Sequence, residues 1–391
     1  MEIRAKRCAA TRFSAVLVVL VWLTLFVAAA AGVSTAQSTV GSVVKTVLVG
    51  NGPSGAAFDA ANGEVYVADF GSNTVSVIND TTNTVVATVS VGVGPESVAY
   101  DSGNGDIYVA CSGNVVSVIS GATNSVVATV KGPYLGEVGG FSAIAYDPQN
   151  GALYATNIAG VVVVFSGRTN SVTNTTNTTI SVGAGPDAVA YDSGNGDIYV
   201  ANEGSFTVSV ISGSTNTVVS TILVGSAPSG VAYNPKNKEV YVTNQGSSTV
   251  LAVNDTTNTV VDAIPVKSNP WGIVADAANG EVYVADFGSN TVSVINDTTN
   301  TVDGYIPVGM SPQGVTYDSA NGDVYVTNYG SNSVSVISTS APSVSVTTSS
   351  TTQPSQTSTQ ISHGVSGYLY IIVIVVAAVI VITVVLALRR R

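Results

Sequence analysis

Between residues 43 and 338 the chain is written in short apolar runs separated by stretches of Gly, Asn, Asp, Ser and Thr. In the first full unit the pattern predicts four strands: A over Ser54–Asp59, B over Glu64–Ala68, C over Thr74–Ile78 and D over Val85–Val91. Val, Ile, Thr and Tyr fill these runs, and Asn62-Gly63 and Asn79–Asn83 supply the turn residues between them. Strand D (Val-Val-Ala-Thr-Val-Ser-Val) is apolar on both faces in part, which predicts a sheet packed between two neighbouring sheets.

The unit recurs. The tyrosine at 66 returns at 108, 154, 199, 241, 283 and 325, with spacings of 42, 46, 45, 42, 42 and 42 residues. A proline marker at 53, 95, 186, 228, 270 and 312, with Phe141 standing in once, keeps the same spacings. Two markers thus give seven copies, and four strands per 40–45 residues is the period of a propeller blade. The seventh copy stops after its strand C at Val334–Ile337, whereas a D-like strand, Val43–Val49, precedes the first copy. Pairing that strand onto the last copy completes seven sheets and leaves no open edge. The fold class expected is therefore an all-β, seven-bladed propeller of four-stranded antiparallel blades over 37–338, closed by its N-terminal strand.

Two apolar segments stand outside this rhythm. Residues 1–36 combine Arg4, Lys6, Arg7 and Arg12 with an apolar run from Ala15 to Ala31 and a small-residue exit, Ser34-Thr35-Ala36. That is the pattern of a signal peptide, with an uncleaved anchor as the alternative. Residues 368–388 are 21 uncharged residues followed by Arg389, Arg390 and Arg391. This length spans a bilayer and the arginines place the tail 389–391 in the cytoplasm, so a transmembrane helix is expected. Between them, 339–367 is rich in Ser, Thr, Gln and Pro and reads as an extended stalk. The expected location is a cell membrane, crossed once, with the propeller outside.

Charge and composition then narrow the function. Only 9% of residues are charged, and apart from the two ends six basic residues face 23 acidic ones, a formal charge of −17. Such a field repels nucleic acid. Cys111 is the only cysteine of the exported part and His363 the only histidine, which removes most catalytic and metal-site constellations. No catalytic residue, metal ligand or cofactor is therefore assigned, and the chain is expected not to be an enzyme.

The segments Tyr-Val-Thr-Asn at 241–244 and 325–328, and Asn-Asp-Thr-Thr-Asn-Thr-Val at 79–85, 254–260 and 296–302, resemble the YVTN-repeat β-propeller family. The resemblance covers about 43–338 and implies a secreted or surface protein, similar to archaeal surface-layer components. Some related propellers are lactonases or dehydrogenases. Blades two and three depart from the motif, with Cys111 in place of Asn or Asp and Ala159-Gly160 in place of Gly-Ser.

Strand alternation puts the A–B and C–D turns on one face and the D–A and B–C loops on the other. Both ends of the propeller fall on the C–D face, which should look to the membrane. Five sequons, at Asn79, Asn174, Asn177, Asn254 and Asn296, are placed in C–D turns or at their edge. They are read as glycosylation sites, although Asn-Asp-Thr also makes a tight turn for its own reasons. The acidic A–B turns (Asp101 and Asp106, for example) superficially suit calcium, but near-identical copies favour a hairpin turn.

Variation between copies gathers on the outward face. After the proline marker stand Ser54, Glu96, Ser142, Asp187, Ser229, Trp271 and Gln313; four residues beyond each tyrosine stand Phe70, Ser112, Ile158, Glu203, Gln245, Phe287 and Tyr329. Trp271, Phe287, Tyr329 and Phe70 thus fall on three adjacent blades, and Glu96, Asp187 and Glu203 are the acids near the same mouth. These seven are the candidate partner-binding residues, with a protein or glycan at the cell surface as partner. The alternatives are that the three B–C rings fold inward to seal the blade corners, that the protein is a structural part of a surface layer, or that it is a calcium-assisted lactonase-like hydrolase.

Overall fold

The computed structural model describes residues 40–133, 139–172 and 179–339. The chain divides into two units, Met1–Pro342 and Ser343–Arg391, and everything described belongs to the first. Seven antiparallel sheets follow one another, each with its strands in the order A, B, C, D. In blade one these are Pro53–Asp59, Glu64–Asp69, Thr74–Asn79 and Thr84–Ser90, each within a residue or two of the pattern-based limits. The N-terminal strand, Ser42–Leu48, pairs with strand C of blade seven, Ser333–Ser338, from Ser42↔Ser338 to Leu48↔Ser333. Closure by the N-terminal strand is as the sequence predicts, and Val47 enters a cluster with Val65, Val67, Ile78, Tyr325 and Val334.

Strand A of every blade is innermost, and the seven approach closely enough that the position two residues after each marker carries only Gly, Ala or Ser. A Cβ on Gly55 would lie 2.6 Å from the carbonyl oxygen of Glu96 on the next blade. Strands B and C carry the interior: the strand pairs Glu64–Asp69 and Thr74–Asn79 are almost continuously buried. Strand D corrects one expectation. Its two-sided apolar pattern does not mean burial on two faces, because it is the outer rim strand; in Thr84–Ser90 only Val89 is buried, and Val86 is 53% exposed. A register shift interrupts the C–D pairing in blade one between Val77 and Ile78 and recurs in blades two, four, five and six. Such bulges twist an edge away from further pairing.

The recurring tyrosine does more than fill space. All seven are buried, and six hydroxyls donate to an Asn side-chain oxygen in the C–D turn of the next blade. The distances run from 2.5 Å for Tyr108–Asn170 to 3.1 Å for Tyr199–Asn258, and Tyr325–Asn83 at 2.9 Å carries the series across the closure. Each of these asparagines has φ between 46° and 55°. Asn tolerates the left-handed region and presents an acceptor, so one residue serves both the turn and the latch.

The A–B turns are built by their own side chains. The Asp or Asn at the end of strand A, or just past it, accepts from the backbone N–H two positions on in all seven blades, as in Asp59–Ala61 at 2.8 Å and Asp192–Gly194 at 2.7 Å. This is the Asx turn, and it supports the hairpin reading of these acids over calcium.

Among the described residues no helix is long and apolar enough to cross a membrane. The segments read as signal peptide (1–36), stalk (from 340 to 367), transmembrane helix (368–388) and basic tail (389–391) lie outside the described residues. So do Asn174 and Asn177. Asn79, Asn254 and Asn296 each end a strand C, and their side-chain oxygens accept from the turn that follows.

Candidate functional site

Residues that follow each proline marker line a central channel of about 250 Å³. Small side chains dominate its wall, with Glu96, Asp187, Trp271 and Gln313 as the exceptions in size or charge. Above it, on the D–A/B–C face, lies a cup of about 290 Å³ lined by Ser54, Phe70, Glu96, Trp271, Phe287, Gln313 and Tyr329. The four aromatics expected to be neighbours do share one cavity. Trp271 and Phe287 pack with ring centroids 5.3 Å apart at 45°. Cup and channel share Ser54, Glu96, Trp271 and Gln313, so the cup opens onto the mouth.

The rings also seal the corners. A Cβ on Gly52 would lie 3.0 Å from the Tyr329 ring, and one on Gly94 would lie 3.1 Å from Phe70. Each ring therefore rests on the loop of the following blade while its other side faces the cup. Gly52 and Gly94 have φ of 59° and 61°, so glycine is favoured there by backbone as well as by space. Phe70, Phe287 and Trp271 are half-buried and Tyr329 is exposed. The two readings of these rings are thus not alternatives.

The acids divide. Glu96 belongs to cup and channel, and Asp187 to the channel alone. Glu203 is exposed, opens a short 3-10 turn over Glu203–Ser205 and lines neither cavity. Burial, and then the charge of Asp187, pushes Glu96 up to about 7. Burial, and then the charge of Glu203, pushes Asp187 up to about 7. Among the described residues no Lys, Arg or His lines either cavity to compensate the two carboxylates. Ser54 and Gln313 are the cup residues that sequence reasoning did not single out, although Gln313 varies from its counterparts just as Trp271 does. Cys111, at the end of a strand B, is a buried free thiol whose burial pushes it up to about 11, which leaves it unreactive.

The repeat pattern finds its match here. A family model described as the NHL repeat matches residues 51–78, 268–295 and 310–337. The chain is a repeat β-propeller. The three matched segments fall in blades one, six and seven, the same adjacent blades that supply the four rings of the cup. No curated protein matches the chain. Among solved structures, a chain of Kuenenia stuttgartiensis Hydrazine Synthase resembles the propeller with a TM-score of 0.65 and 18% identity, over 73% of this chain and 95% of its own. At that identity the likeness shows the fold alone.

Proposed function

We propose that the protein is a membrane-anchored, cell-surface propeller that binds a protein or glycan partner through its outward face. The observation that carries this reading is the aromatic cup: four rings from three blades gathered about one cavity, on the face opposite both ends of the propeller. Trp and Tyr bury large area at low entropic cost and dominate binding hot spots. The C-terminal apolar segment 368–388 with its three arginines is the anchor, and the resemblance to surface propellers of the YVTN type agrees with that placement. Glycosylation at Asn79, Asn254 and Asn296 would then decorate the opposite face.

A second reading has its own observation. Val86, Val127, Val219 and Val261 repeat one exposed position on the outer strands, at 51–57% exposure, and so put an apolar side chain on the rim of four blades. Lateral packing of propellers in a surface layer would use that rim rather than the cup. A calcium-assisted hydrolase would have to draw on Glu96 and Asp187 in the channel.

The test compares full-length protein and Trp271→Ala on the cell surface, with melting temperature as the folding control. The expected outcome is at least a tenfold loss of partner or cell attachment with a nearly unchanged melt. Undiminished attachment in a folded variant would remove the cup from the function.

A further inference from the structure

The cup's size and lining choose among occupants. At about 290 Å³ it lies at the lower end of ligand pockets, so a compact head group fits it better than an extended chain. Four of its seven lining residues are aromatic. Ring faces carry negative potential and attract a cation lodged over them, whereas a neutral group gains only apolar contact. Among the described residues the one carboxyl in the lining is Glu96, and the channel below adds Asp187. Lys267, on the loop that leads to Trp271, does not supply the missing charge, since its Nζ sits 4.3 Å over the Tyr305 ring. Beyond the cavity, the excess of acidic residues gives the part between the two ends a formal charge of −17.

We propose that this cup is a receptor for an organic cation, an alkylated ammonium head that enters among Trp271, Phe287, Tyr329 and Phe70 and pairs with Glu96. The proposal rests on the outward-face binding reading and names its ligand class. An ammonium bearing methyl groups is weakly hydrated, so it enters an aromatic cup at small desolvation cost and keeps its charge. Burial, and then a neighbouring acid, pushes Glu96 and Asp187 each up to about 7, and an arriving cation favours their ionised forms. Affinity should therefore rise with pH through about 7 and flatten above it.

The experiment is calorimetric titration of the full-length chain in a maltoside detergent with choline and with its neutral isostere 3,3-dimethylbutan-1-ol. Choline should bind saturably and the alcohol at least tenfold more weakly. Trp271→Ala and Glu96→Gln should each weaken choline at least tenfold. If Trp271→Ala does not fold, Trp271→Phe and Glu96→Gln carry the test, because both keep a similar shape. An N-acetyl trimethyllysine amide presents the same head on a protein-like stem. Tighter binding of the amide makes the source a modified protein chain, tighter binding of choline a free small molecule, and either supports the assignment. Equal affinity for the alcohol overturns it, as does choline binding that ignores Glu96→Gln. Calcium binding that depends on Glu96, without choline binding, would make the site a metal site and overturns it too. If neither cation binds yet Trp271→Ala still lowers cell attachment, the cation assignment fails and the outward-face reading survives. Loss of both sinks the two together.

Discussion

Replacing Tyr154 by phenylalanine removes one oxygen from a fully buried ring, and with it the 2.7 Å bond to Asn216 on the next blade. Burial pushes this phenol up to about 12, so it stays a donor throughout the physiological range. The loss should cost about 1–2 kcal/mol, because the Asn216 acceptor is left without its partner in a part-buried site. Asn216→Gly keeps the left-handed turn, φ 55°, while removing the same acceptor. A double-mutant cycle on melting should therefore show coupling of at least about 0.5 kcal/mol; strictly additive losses would mean that the latch contributes nothing. The recurrence of the tyrosines was legible, but the latch was not. Its signal was nevertheless present, since an Asn follows six of the tyrosines at 16 or 17 residues. That recurrence passes for turn chemistry alone until the turn is seen against the neighbouring blade.

At the scale of the strand, periodicity predicted position well and burial less well. Strands A, B and C fell where β-branched and aromatic runs put them, since each copy repeats the same alternation. Strand D announced a sheet packed between neighbours, but not its own exposure, because an apolar residue shows what a site tolerates, not what covers it. Val85 and Val86 are exposed at the rim, where a bulge rather than a neighbouring sheet protects the edge. The N-terminal strand differs from its counterparts because no turn joins it to its blade. Deleting residues 42–48 should strip strand C of blade seven of its partner and take Val47 from its cluster. The expected cost is several kcal/mol, given about 1.5–3 kcal/mol for each fully buried aliphatic side chain and an exposed ladder besides. An unchanged melting temperature in the deletion would show that the ring does not depend on this strand.

Across the whole molecule the acids dominate. Asp69 and Asp286 are pushed up to about 6, and Glu96, Asp187 and Glu281 to about 7, in each case first by burial. An unfolded carboxyl titrates near 4, so between about pH 4 and 7 the folded propeller holds more protons than the unfolded chain. Stability is then greatest below this window, falls as pH rises through it and levels off above. Melting should be several degrees higher at pH 5 than at pH 8, in the opposite sense to proteins whose carboxylates are salt-bridged. A melt that drops on acidification to pH 5 would contradict these shifts. The gathering of aromatics at the mouth was legible because equivalent loop positions in adjacent repeats must be neighbours. The proton affinity of Glu96 and Asp187 was not, because it depends on how closely seven inner strands converge.

The closure has a mechanical side. Strand C of blade seven, the last strand of the propeller, lies inside its sheet, paired at six positions with Ser42–Leu48 and at six with Asp323–Asn328. A pull on the chain beyond Ser338 runs along this strand and must shear both ladders at once, while the same pull on Ser42 would peel a single edge strand. The propeller therefore resists load best when it is held by its C-terminal end.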